Sequence, residues 1–211
     1  MATRVRRPLP RAPRAAGGRT ATVDRKTKET DVRLTLALDG RGTADVATGV
    51  PFLDHMLELV AKHGFFDLTV HAEGDLHVDY HHTVEDVGLV LGRALREALG
   101  DKAGIRRFGE AAVPLDEALV QTVVDLSGRP FFVYDVKIAQ AKVGSFDVEL
   151  IHDFLLAFAN EAKINLHVRM FSGRNPHHVV EATFKGLARA LAAAVQRDPR
   201  VTGVPSTKGA L

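Results

Sequence analysis

Apolar residues along this chain recur in two registers, every second position in short runs and every third or fourth in longer ones. Val32, Leu34, Leu36 and Leu38 alternate with Arg33, Thr35 and Ala37, the pattern of a half-buried strand, and Asp39-Gly40 closes it. Before it lies a polar, basic stretch, Lys26-Thr27-Lys28-Glu29-Thr30. Thr43 to Thr48 predicts a second short strand. Pro51 then opens a helix, where its missing N–H costs nothing, with Phe52, Met56, Leu59 and Val60 as its apolar stripe and Gly64 as its stop. Phe66 to His71 reads as a strand, followed by a Gly74-Asp75 turn. Asp79 is placed to cap a helix that carries His81, His82 and Glu85 and runs through Val87, Leu91, Leu95 and Leu99 to Gly100. Gly104 to Gly109 is a basic connector.

The pattern then restarts. Ala118 to Leu126 and Phe131 to Val136 predict strands around the turn Ser127-Gly128-Arg129-Pro130. Ser145 is placed to cap a helix with Leu150, Ile151, His152, Leu155 and Leu156. Ile164, Leu166 and Val168 alternate as a strand. Asn175 caps the last long helix, with Pro176 in its first position and His177, His178 and Glu181 in its opening turns. Gly203 to Gly209 is a loop by composition.

The two halves match in particular residues as well as in the order of elements. His81, His82 and Glu85 recur as His177, His178 and Glu181 at an offset of 96, and Arg93-Ala94-Leu95 recurs as Arg189-Ala190-Leu191. His71 recurs as His167 at the same offset, and His55 as His152 at 97. A period this long is too long for a solenoid and indicates a duplicated domain. The expected fold is α+β, two-layered, an internally duplicated β-β-α-β-α unit whose four-stranded sheets carry helices on one face. The expected divisions are a basic tail over 1–20, a first repeat over 21–105, a second over 106–202 and a C-terminal substrate-binding loop over 203–211, the repeats forming one unit.

Charge changes this picture at one end. Arg4, Arg6, Arg7, Arg11, Arg14 and Arg19 stand in residues 1–20 without an acid, and removing those six from the formal +2 of the chain leaves −4 for the rest. The tail reads as disordered. A mildly acidic body argues against a surface for nucleic acid. There is no run of roughly 18 apolar residues and no secretory segment, so neither membrane nor export is expected and the location is expected to be cytoplasmic. With no cysteine, any transition metal must be held by His, Asp or Glu.

The repeated histidines supply such a set. His177 and Glu181 are i and i+4 on one helical face, and His178 is rotated by about 100° toward something else. The simplest pseudo-twofold scheme uses two ions. One takes His81, Glu85, His152 and His178; the other takes His177, Glu181, His55 and His82. Three imidazoles and a carboxylate suit Mn(II), Fe(II), Co(II) or Zn(II) and leave positions open for water and substrate. Ions held mainly by neutral imidazoles repel unless something anionic lies between them, such as a substrate imidazolate. Arg107, Arg129, Lys185 and the loop Ser206-Thr207-Lys208 lie outside the ligand set and suit phosphate.

At these residues the chain resembles the imidazoleglycerol-phosphate dehydratases of histidine biosynthesis, over about residues 20 to 211. The motifs are Thr27-Lys28-Glu29-Thr30, Gly49 to Met56, His81-His82-Thr83-Val84-Glu85-Asp86, Asp125 to Pro130, Asn175-Pro176-His177-His178 with Glu181 to Lys185, and Pro205 to Gly209. The resemblance implies a hydro-lyase with two Mn(II) ions per active site and 24 subunits with active sites at their contacts. It implies a phosphorylated imidazole as substrate, with loss of water by way of a diazafulvene-like intermediate. It makes the eight residues above the metal ligands and places Glu29 beside His55, Glu85 and Glu181 in the catalytic group, Glu29 as substrate-contacting acid or base. Arg107, Arg129, Lys185 and Ser206 to Lys208 become the substrate and phosphate contacts. A two-metal hydrolase or phosphatase on the same ligands is the alternative, separated by assaying phosphate release, and a metal-storage assembly is a further one.

Overall fold

Alternation yields a buried row wherever it was read. In β2 (Thr30–Ala37) Val32, Leu34 and Leu36 are buried and their neighbours are not. This computed structural model describes residues 18–209 and 211, so the disorder expected for the tail lies, over residues 1–17, outside the described residues. The tail's expected boundary at 20 moves inward. The Arg19 guanidinium grips both carboxylate oxygens of Asp39 at 2.6 and 3.0 Å and also donates to the Val195 carbonyl, and Thr20 already begins a strand.

That strand is β1 (Thr20–Lys26), antiparallel to β2. Next come β3 (Ala44–Ala47), α1 (Pro51–Gly64), β4 (Asp67–Gly74) and α2 (His81–Leu99). The second half runs β5 (Phe108–Leu115), β6 (Ala118–Asp125), β7 (Phe131–Asp135), a minimal hairpin of β8 (Lys142–Val143) and β9 (Phe146–Asp147), α3 (Leu150–Ala162), β10 (Asn165–Ser172) and α4 (Pro176–Val195). The four-stranded sheets are ordered β1-β2-β4-β3 and β5-β6-β10-β7. In each the last pair is parallel, joined through a helix.

Each repeat thus opens with a strand that the hydrophobic pattern did not announce. Both are edge strands that bury little: β1 only Ala21 and Val23, β5 only Gly109 and Val113. Phe108 and Gly109, expected as connector, belong to β5, which tolerates Pro114 because one of its edges is unpaired. Gly109 is required for packing, since a Cβ there would stand 2.0 Å from the Ala190 carbonyl of α4.

The helices of each repeat cover one face of their own sheet. They then face each other, α2 against α3 and α1 against α4, giving sheet, helices, helices, sheet. The core fills the two sheet–helix spaces and the helix–helix plane; Phe154 and Phe184 meet there with ring centroids 5.4 Å apart. Two glycines one turn apart let α2 approach α3: a Cβ on Gly88 would lie 2.7 Å from the Phe154 carbonyl oxygen, and one on Gly92 2.4 Å from that of Phe158.

Helix ends follow the sequence with two exceptions. Asn175 accepts from His177 N at 3.0 Å and Asp79 from His81 N at 2.8 Å, as caps should. The left-handed residue that closes α1 is Phe65, at φ 56°, rather than Gly64. Gly64 is instead a packing position, where a Cβ would meet the Phe66 ring. Ser145 caps no helix; α3 starts at Leu150, and the Ser145 hydroxyl lies 3.4 Å from that of Tyr80.

Candidate metal centre

His55 sits in the first turn of α1, which is fixed from outside the helix: Asp54 accepts from both the backbone N–H and the hydroxyl of Thr48. Its Nε2 lies 3.1 Å from Glu181 Oε1 on α4. His177, one turn before Glu181, turns its ring toward His55 with centroids 6.0 Å apart and is braced by the edge of Phe52 at 5.4 Å. Donor atoms of His55, His177 and Glu181 lie within 4.8 Å of one another, the one such cluster of three among the described residues. Lys185 donates to the other Glu181 oxygen at 3.1 Å. Burial opposes ionisation of Glu181, but the hydrogen bonds from Lys185 and His55 outweigh it and hold the carboxyl below its usual value. The three are therefore available as a carboxylate and two imidazoles converging from two helices, a donor set that fits a borderline divalent ion.

The repeat-related cluster, again drawn from both repeats, is looser. His81 Nδ1 and His152 Nδ1 approach the two oxygens of Asp153, at 3.5 and 3.1 Å. His152 is wedged between Phe132 and Tyr134 of β7, and a cleft of about 280 Å³ walled by Tyr134, Val136, Ile138 and Glu149 opens beside it. Glu85 is half-buried one turn along α2 from His81.

Of the two expected sets of four, the structure brings together His55, His177 and Glu181 from one, and His81 and His152 around Asp153 from the other. The remaining histidines are engaged elsewhere. His82 Nδ1 is 3.0 Å from Asp75, which raises its pKa, and its Nε2 is 4.0 Å from Glu29. His178 Nδ1 is 2.8 Å from Glu117, with the same effect. The Glu117 carboxyl also accepts from the backbone N–H groups of Asn175 and Arg174. Those three bonds, that from Asn175 first, hold its pKa at about 2.

Glu29 is exposed on the β1–β2 turn, and the turn is wired to α2, the helix that carries His81, His82 and Glu85. Thr27 Oγ1 accepts from Glu29 N and Thr30 N, and the Thr30 hydroxyl donates to Asp86, which also accepts from Arg25 Nε at 2.9 Å. The basic residues divide. Arg107 makes a fork to both oxygens of Asp125, at 2.7 and 3.1 Å, and donates to the Pro205 carbonyl at 2.9 Å. It thereby seats the C-terminal segment beside the second sheet, and Leu211 lies against Gly128 of the turn that carries exposed Arg129. Thr207 and Lys208 are exposed and Ser206 is half-buried, while Lys185 stays at the Glu181 cluster.

The repeat arithmetic missed Asp75, Asp153 and Glu117. Glu117 precedes β6 as Glu29 precedes β2, but at an offset of 88, so a search at 96 passes over it. The converse holds for His71 and His167. The buried pair Leu68 and Val70 corresponds to Leu166 and Val168 at an offset of 98, which sets His167 opposite Thr69 instead.

A family model described as imidazoleglycerol-phosphate dehydratase matches residues 48–191. The imidazoleglycerol-phosphate dehydratase of Pelobacter propionicus is 57% identical over 193 residues, covering 92% of this chain and 99% of that protein, and that of Geobacillus kaustophilus is 59% identical over the same span. Among solved structures, the imidazoleglycerol-phosphate dehydratase of Staphylococcus aureus superposes with a TM-score of 0.78 at 35% identity, over 85% of this chain and 99% of that one. The Pyrococcus furiosus enzyme in complex with (S)-C348 gives the same TM-score at 39% identity, over 90% and 100%.

Proposed function

The chain belongs to the imidazoleglycerol-phosphate dehydratase family, and from that premise we propose how its residues divide the work of dehydration. The reaction is that of a hydro-lyase in histidine biosynthesis: imidazole glycerol phosphate loses water, and the resulting enol becomes the ketone imidazole acetol phosphate. The proton lost from the glycerol chain is not beside a carbonyl, so it is not acidic by itself. An acid–base group and a sink for charge in the imidazole ring must compensate.

The convergence of His55, His177 and Glu181 carries the reading. These three would hold one divalent ion, and His81, Glu85 and His152 a second; Mn(II) is the ion proposed, since the mixed His/Glu set suits it. Bound there, such ions supply positive charge that polarises the substrate ring. Glu29 moves the protons, held on its turn by Thr27, Thr30 and Asp86. Arg129 and the Ser206 to Lys208 loop bind the phosphate. Arg107 supports that loop through Pro205, with donors left for the phosphate itself. Lys185 keeps Glu181 ionised and has ammonium N–H donors left over for the substrate phosphate.

His82 and His178 belong to neither three-residue group, so each is proposed as a further metal ligand that one copy of the chain lends to the site of another. We propose the 24-subunit assembly on that basis, with exposed Phe108, Phe131, Val123 and Val133 on the outer face of the second sheet as apolar contact surface. No described helix is long and apolar enough to cross a membrane, and a cytoplasmic location is proposed for this biosynthetic enzyme. The test is turnover of imidazole glycerol phosphate, with ketone formation followed in the ultraviolet against phosphate release. Glu29→Gln should reduce ketone formation by two orders of magnitude or more, on the order of what a positioned acid–base group contributes, and leave metal content intact. Full activity in that variant would remove Glu29 from its role, and phosphate release in place of ketone would point to the hydrolase.

A further inference from the structure

His82 and His178 are each second in a His-His pair, and each has its Nδ1 against a carboxylate. The distances are 3.0 and 3.2 Å from His82 to the two oxygens of Asp75, and 2.8 Å from His178 to Glu117 Oε2. A carboxylate only accepts, so Nδ1 of each ring carries the proton and donates it. In the neutral ring the lone pair then belongs to Nε2. Neither Nε2 is within hydrogen-bonding distance of its nearest acid: it stands 4.0 Å from Glu29 Oε1 in one repeat and 3.8 Å from Asp116 Oδ2 in the other.

The two carboxylates are not copies of each other. Asp75 comes from the turn that follows β4, whereas Glu117 comes from the β5–β6 turn. At the offset of 98 that relates β4 to β10, Asp75 falls opposite Gly173, and the hairpin counterpart of Glu117 is Glu29, which faces the other nitrogen of His82. Neither acid therefore owes its contact with Nδ1 to duplication: the counterpart of Asp75 is not acidic, and the counterpart of Glu117 faces Nε2. The chain instead reaches the same Nδ1–H···carboxylate contact from two unrelated positions, which is the outcome expected when the orientation of the ring is what matters. Both carboxylates are themselves held: Asp75 is largely buried on its side chain, and Glu117 accepts from two backbone N–H groups at the start of α4.

We propose that Asp75 and Glu117 are positioning residues that fix the tautomer and ring plane of His82 and His178, leaving Nε2 of each as the nitrogen that ligates metal in the assembled enzyme. This rests on the ligand assignment of the preceding section. Carboxylates behind ligating imidazoles raise their basicity and hold them in place, and their loss typically costs 10- to 100-fold in metal affinity.

The experiment uses the full-length protein, freed of metal and titrated with Mn(II), with free Mn(II) read by electron paramagnetic resonance. Asp75→Ala and Glu117→Ala should weaken binding about 10- to 100-fold. Asp75→Asn and Glu117→Gln, which keep a neutral acceptor, should fall between these and the parent. Thermal unfolding of the metal-free Asn and Gln variants should match the parent. His82→Ala and His178→Ala separate the two layers of inference. Should they bind Mn(II) like the parent, the ligand assignment fails and takes the proposal with it. Should they lose binding while all four carboxylate variants keep it, the positioning proposal alone is overturned. Loss of affinity that merely follows loss of metal-free stability would also overturn it.

Discussion

Asp86 joins the turn that carries Glu29 to the helix that carries His81 and Glu85, and replacing it by alanine tests whether that link matters. Its side chain is 9% exposed and accepts from Thr30 Oγ1 and Arg25 Nε. A hydrogen bond to a charged group contributes about 1.5–3 kcal/mol. The Arg25 bond counts at the low end, because that side chain is 43% exposed and rehydrates in the variant. Thr30 is 4% exposed as a residue and its hydroxyl keeps only Thr27 Oγ1, at 3.2 Å, so its loss is nearer the full value. Removing a buried carboxylate recovers its own desolvation cost, which brings the net to about 2 kcal/mol. For a chain of this length that is a fall of about 4–8 °C in Tm. The catalytic effect should be larger, because a misplacement of about 1 Å costs on the order of 100-fold in rate. Asp86→Ala should therefore lose 10- to 100-fold in kcat, read by ultraviolet detection of the ketone, with a smaller change in KM and metal content unchanged. Thr30→Val, which cuts the same link from the other side, should reproduce part of the kcat loss. An Asp86→Ala enzyme that turns over at the parental rate, at whatever Tm, refutes the reasoning.

Three other outcomes follow from contacts in the fold. Gly92→Ala should lower stability by about 1–3 kcal/mol by thermal or urea unfolding, because a Cβ 2.4 Å from the Phe158 carbonyl forces α2 away from α3; overpacking outweighs the gain of about 1 kcal/mol in helix propensity. Arg107→Ala should raise KM tenfold or more and speed tryptic cleavage at Lys208, since Pro205 loses its anchor, and Arg107→Lys should rescue neither fully because an ammonium cannot form the fork to Asp125. The hydrogen bonds from Arg19 overcome burial and hold the Asp39 carboxyl below 3.8, so this pair stabilises the fold above the unfolded pKa and ceases to as pH falls through the folded one. Parent and Arg19→Ala unfolding curves should differ at neutral pH and converge only once pH has fallen below the lowered, folded-state pKa of Asp39; a gap that persists in stronger acid would mean that the Val195 contact alone is responsible.

The sequence by itself determined the elements that bury a full row and the residues whose spacing lies within one helix. Val32, Leu34 and Leu36 predict β2, Pro51 and Asn175 mark helix starts, and His177 with Glu181 share a face because four residues make about one turn. The duplication was legible because it copied side chains whose chemistry is rare. Two of the four edge strands were not legible, although the other two, β3 and β7, were read: β1 and β5 bury two residues each, and their stability comes from hydrogen bonds to a neighbouring strand, which leave no hydrophobic period. The grouping of the site was also out of reach. That His55 joins His177 and Glu181 while His82 and His178 turn to Asp75 and Glu117 depends on how α1 packs on α4 and where the turns fall, contacts between residues as far as 126 positions apart. Glu117 shows the limit most directly. Its role follows from hairpin register, and insertions elsewhere in the repeat shift that register by eight positions relative to the histidines, so only the folded chain brings it to His178.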